Sequence, residues 1–83
     1  QSDDHNFAEQ LCHKLALHSS PEVRGNAVLG FGHLARRNGS LNMDAAVPLL
    51  RMALEDGDPY VRSQAKSAID DIQHFLRVDL GLL

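Results

Sequence analysis

One stretch of this sequence occurs twice. Ser20-Pro21-Glu22-Val23-Arg24-Gly25-Asn26-Ala27 lies over Asp58-Pro59-Tyr60-Val61-Arg62-Ser63-Gln64-Ala65 at a shift of 38 residues. A capping residue, Pro, Val, Arg and Ala fall in register. Further along, Phe31 lies over Ile69 and Leu34 over Ile72. The segments before them match at Ala8 with Ala46 and at Leu11 with Leu49. A chain that repeats a helix pair at this length builds a solenoid, because one pair alone cannot bury its apolar face and must stack on the next.

The local pattern is helical throughout. Phe7, Ala8, Leu11, Cys12, Leu15 and Ala16 form one apolar stripe, which His18, Ser19 and Ser20 bring to an end. Ser20 is placed to cap a second helix, with Pro21 at its first position, where a missing N–H costs nothing. That helix runs to about Arg37 and stops at Gly39. A third starts near Asn42 or Asp44 and ends before Gly57. Pro48 inside it predicts a kink or a late start. Asp58 caps a fourth helix, opened by Pro59 and reaching about Leu76. Residues Gln1 to Asn6 are polar and are expected to fray. No segment alternates with the period of a strand.

The fold expected is therefore all-α: one domain over 1–83, a short right-handed α-solenoid of two helix hairpins, at about 7–39 and 42–77. Val23, Ala27, Phe31 and Leu34 are predicted to pack on Leu11 and Leu15. Val61, Ala65, Ile69, Ile72 and Leu76 are predicted to pack on Leu50 and Leu54. Solenoids need about three units to bury a continuous core. The chain opens at Gln1 rather than Met, so a further N-terminal helix upstream is expected, or else an oligomer or partner over the open end. Leu80, Leu82 and Leu83 are expected to cover the other end.

Several function classes are disfavoured. Net charge is −3 and the pI about 5.9, which argues against general nucleic-acid binding. No apolar run approaches the roughly 20 residues of a membrane span, and no basic-then-apolar leader is visible. The single cysteine fits a reducing compartment, and the expected location is cytoplasmic. Cys12 lies in an apolar stripe without an activating base, so no catalytic residue is assigned. Asp70, Asp71 and His74 are the nearest approach to a metal set, but they lack a fourth ligand and read as a solvated face. No cofactor is expected.

Pro21-x-Val23-Arg24-x-x-Ala27 and Asp58-Pro59-x-Val61-Arg62-x-x-Ala65-x-x-Ala68-Ile69 resemble the second-helix signature of HEAT-like repeats. Arg24 through Arg36, with Ala68-Ile69-Asp70-Asp71-Ile72, is similar to small bacterial HEAT-repeat proteins, some of which are immunity proteins to polymorphic toxins. The resemblance implies a non-enzymatic protein-binding module of the kind found in contact-dependent inhibition. Its partner would be a toxin of basic charge, such as a nuclease, blocked by occlusion. Similar repeats also occur in bilin lyases and in larger scaffolds, which stand as alternatives. The oligomeric state is left open.

Individual residues divide into two groups. Arg24 and Arg62, at equivalent positions, are expected to bond acceptors in the inter-helix turns, with Asp56 and Asp58 the candidates for Arg62; Asp58 also caps. Gly25, Gly30 and Gly32 each cost about 1 kcal/mol inside a helix. Close helix packing accounts for them, or a partner backbone approaching at Gly25 and Gly32. The binding surface is assigned to the second helices: Gly25, Asn26, His33 and Arg36 on one, Tyr60, Lys66, Asp70, Asp71 and His74 on the other. Residues 1–41 are balanced in charge, whereas residues 42–83 carry the whole net −3. Glu55, Asp56, Asp58, Asp70, Asp71 and Asp79 are the acids that would steer a basic partner.

Overall fold

A computed structural model of the chain describes the backbone of residues 2–83 and the side chains from Asp4 onward. Four helices follow one another: α1 (Ser2–Leu15), α2 (Pro21–Asn38), α3 (Met43–Leu54) and α4 (Pro59–Leu76). No strand occurs among the described residues. The helices pair as α1 with α2 and α3 with α4, giving a short solenoid of two hairpins.

The caps explain where the helices begin. Ser20 Oγ accepts a hydrogen bond from the Val23 amide, Asn42 Oδ1 from the Ala45 amide, and Asp58 Oδ1 from the Tyr60 amide. Each satisfies an amide that has no partner within its helix. Gly39 closes α2 in the left-handed conformation, with φ 69°. The residue one repeat later is Arg77, which adopts the same conformation at φ 55° to close α4. The repeat thus imposes a glycine-type stop on a residue with a side chain.

Two expectations about helix starts are corrected. The first helix begins at Ser2, so Ser2 to Asn6 are not frayed; Gln1 lies outside the described residues. A buried acid holds this segment. Glu9 is only 6% exposed, its Oε1 accepts from the Asn42 amide at 2.9 Å, and its Oε2 lies 2.7 Å from His5 Nε2. His5 Nδ1 in turn meets Asn38 Nδ2 at 2.9 Å. The third helix does not start late, because α3 runs from Met43 through Pro48 to Leu54. The Pro48 side is exposed, as is α3's Arg51 and Met52.

The core lies between the hairpins. Phe31, Ala35, Ala46, Leu50, Ala65, Ala68, Ile69 and Ile72 are fully buried, with Val28 and Val61 almost so. Leu54 and Leu76 pack at its margin, and so do Leu80 and Leu82 of the tail, whereas Leu83 stays exposed. The α1 stripe is rotated from the one expected. Leu11 is 44% exposed and Phe7 68%, while Cys12 and Ala16 pack against the core instead. The reason is a close approach of α1 to α2 at Gly30, where an added Cβ would fall 2.8 Å from Cys12 Sγ.

The most extensive helix contact is that of α2 with α4. The two run parallel, since Gly25 meets Tyr60 and Gln64 while Gly32, two turns later, meets Ala68 and Asp71. Small residues line this seam, so the helix axes come close together. A Cβ on Gly32 would sit 3.1 Å from the Ala68 Cα and 3.2 Å from the Asp71 Cβ. Gly32→Ala should therefore destabilise the fold by about 1–3 kcal/mol, despite its better helix propensity. Gly57→Ala, which adds a methyl to open space, should be near neutral. Arg77→Gly should stabilise by about 1 kcal/mol by relieving the left-handed backbone. Chemical denaturation of the three variants checks all of these, and a neutral Gly32→Ala would contradict the tight seam.

Candidate functional site

The richest polar geometry lies at the turns between paired helices. Arg24 projects from the first turn of α2. Its Nε donates to Asp56 Oδ2 at 2.9 Å and its NH2 to Asp56 Oδ1 at 3.0 Å. Its NH1 donates to the carbonyls of His18 and Ser19, at 3.0 and 2.9 Å. One guanidinium thus fastens its own turn and grips the turn of the following hairpin, a use that the planar fork of Arg permits and an ammonium does not. The paired side chains are 21% and 16% exposed.

Arg62 shares only part of this arrangement. Its NH1 donates to the Asp56 carbonyl, as Arg24 NH1 does to the carbonyl of His18 one repeat earlier. The Asp56 carboxylate, one of the two acids expected to receive Arg62, belongs to Arg24 instead. Asp56 Oδ1 also accepts from the Asp58 amide at 3.0 Å. The sequence pattern located both arginines but did not reveal that the first reaches across the repeat.

The Arg24 hydrogen bonds hold the Asp56 carboxyl below its ordinary pKa. Partial burial opposes that shift, and the Asp58 amide adds to it. The same hydrogen bonds raise the pKa of Arg24. Burial pushes the Cys12 thiol up, and the Glu9 carboxylate pushes it further, so the thiolate a nucleophile needs is disfavoured.

The second-helix surface divides into exposed and occupied parts. Lys66, Asp70 and His74 follow one another at one-turn intervals along α4 and are all exposed, on the side away from Ala65 and Ile69. Asn26, His33 and Arg36 run along the exposed side of α2. Gly25 does not belong with them. It is buried, with the Tyr60 ring lying across it, where an added Cβ would fall 2.6 Å from Tyr60 Cε2. The Tyr60 hydroxyl donates to Asn26 Oδ1 and accepts from Gln64 Nε2. Gly32 is covered in the same way, and Asp71 packs half-buried over it. Both glycines therefore admit α4, and the backbone opening to a partner that was expected there is taken up inside the fold.

Three of the acids counted as steering charge also have local duties. Asp56 holds Arg24, Asp58 caps α4, and Asp79 Oδ1 accepts from the Gly81 amide. Among the described residues, no group of three His, Cys, Asp or Glu side chains could hold a metal ion. No helix of the described residues is long and apolar enough to cross a membrane. The sequence reading missed Glu9: within a helix of mixed polarity, nothing distinguishes an acid aimed at a later turn from one aimed at solvent.

These features define a class of protein, an α-helical hairpin solenoid with arginine-fastened turns. The family model described as HEAT repeats matches residues 8–77, and the chain belongs to that family. No match was found among curated proteins or among solved structures. HEAT repeat domains are generally non-catalytic scaffolds that mediate protein interactions.

The Arg24–Asp56 pair has a pH signature. A carboxyl held below its ordinary pKa contributes stability that is present above the unfolded value, about 4, and lost as the pH falls through the folded value. Asp56→Asn should therefore be less stable than the native chain at pH 7, with the gap closing as the pH drops below about 4. Asp56→Asn combined with Arg24→Ala should cost little more than the worse single change. Additive losses in denaturant titrations would show that the two side chains act independently.

Proposed function

We propose that the exposed faces of α2 and α4 form a protein-binding surface, and that the chain neutralises a basic toxin domain by covering its active or substrate-binding face. The observation that carries this reading is the mixed-sign surface of Asn26, His33 and Arg36 beside Lys66, Asp70 and His74, all exposed on two neighbouring parallel helices. Such a surface suits one specific protein partner better than a polyanion, which would call for clustered cations. Two further features support a basic partner. The net charge of −3 resides entirely in residues 42–83. The sequence of α2 with the Ala68–Ile72 stretch resembles small bacterial HEAT-repeat immunity proteins. Binding without chemistry is enough for this role, and the chain would act in the compartment where its toxin is made.

Asp70 is the informative position, because it is exposed and makes no contact that holds the fold, whereas Asp71 packs on Gly32. Asp70→Lys should slow association with the basic product of a neighbouring reading frame by about tenfold and weaken its salt dependence. Asp4→Lys, an equal change of charge at an exposed position of α1, should do much less. Stopped-flow binding across a salt series makes the comparison. Equal effects of the two variants, or no binding by the native chain, would refute this assignment.

A further inference from the structure

The rotation of α1 turns a line of side chains outward. Glu9, Cys12 and Ala16 face the body of the fold, so the opposite side of the helix looks away from it. Asp4, Phe7, Leu11 and Lys14 follow one another along that side at intervals of three, four and three residues, and all four are exposed. Such spacing keeps side chains in one narrow line, the seam through which two helices pair. Phe7 is 68% exposed and Leu11 44%, one turn apart in the middle of the line. Asp4 and Lys14 flank them at its two ends. Among the described residues, neither makes an ion pair.

We propose that this line is a dimer interface, covered by the same line of a second copy of the chain running antiparallel. The order of the residues specifies the partner. A two-fold axis at the level of Glu9 sets Phe7 of each copy opposite Leu11 of the other, and Asp4 opposite Lys14. Apolar thus meets apolar and acid meets base, each pair twice over, which is the self-complementarity an isologous contact requires. Parallel pairing would set Asp4 against Asp4 and Lys14 against Lys14, with the helix dipoles aligned. The antiparallel arrangement opposes the dipoles and covers the Phe7 ring. The contact is one face of a 14-residue helix, too small for a permanent dimer, so the association is a transient one. Two-fold closure stops at two copies, unlike the open-ended stacking of repeats. The line lies on α1 and points away from α2, so the inference does not depend on the toxin-binding reading.

Sedimentation equilibrium of the chain from about 10 µM to about 1 mM, the range a small transient interface requires, provides the test. The native chain should pass reversibly from monomer to dimer and no further. Phe7→Ala should weaken the dimer by about tenfold or more, with an unchanged helical spectrum and thermal midpoint, because the ring is mostly exposed in the single chain. Asp4→Lys and Lys14→Asp each turn two attractive pairs into two repulsive ones and should each weaken it by about tenfold. An equimolar mixture of those two variants should recover the native affinity, since the two copies then carry opposite charge at both ends of the line. That recovery occurs only between chains, so an effect on folding cannot produce it. Any of four results would overturn the inference: a monomer at every concentration, as when a different protein covers the line; association indifferent to Phe7→Ala; a mixture no tighter than either charge variant alone; or species larger than the dimer, which mean open stacking.

Discussion

The guanidinium of Arg24 ties the two helix pairs together at their turns. It bonds two carbonyls of the turn between α1 and α2 and the carboxylate in the turn between α3 and α4. Repeat proteins are stable through their interfaces as much as through their units, and the two units of the described residues share one such interface. The clasp fixes that interface at the turn end. Because its five donors are planar and rigid, it also sets the relative register of α2 and α4.

The seam that the clasp aligns is unusually close. Gly25 lies under the Tyr60 ring and Gly32 under Ala68 and Asp71, so α4 rests on bare backbone at two levels of α2. The same surrender of side chains explains why α2 tolerates glycines that would weaken an isolated helix. It also determines what is left for a partner. The faces of the two helices turned away from the seam carry mostly polar and charged side chains, while exposed apolar residues include Phe7 and Leu11 on α1, Leu17 in the first turn, Met52 on α3, Phe75 at the end of α4, and Val78 and Leu83 in the tail.

Much of the architecture was legible because the repeat carries its own punctuation. Ser20-Pro21 and Asp58-Pro59 announce helix starts, Gly39 a stop, and the recurring Val, Arg and Ala their orientation. Properties that depend on distant contacts were harder to read. The rotation of α1 follows from Gly30 admitting Cys12, which no periodicity encodes, and the start of α1 follows from Glu9 reaching the Asn42 amide. For the binding surface, sequence spacing separated the second helices into sides but could not tell the side facing α4 from the side facing solvent. Gly25 and Asp71 accordingly fall on the covered side, while Asn26, His33, Arg36, Lys66, Asp70 and His74 remain exposed.

If one clasp and one glycine-lined seam join the two hairpins, they should open together rather than one after the other. Native-state hydrogen exchange tests this directly, by following backbone amides in the middle of α2 and α4 as denaturant is raised. The account predicts that both sets exchange through the same opening reaction, with one free energy and one denaturant dependence, and that Arg24→Ala lowers both equally. Amides of α4 that stay protected after those of α2 have exchanged would mean the hairpins are separate units, and would contradict it.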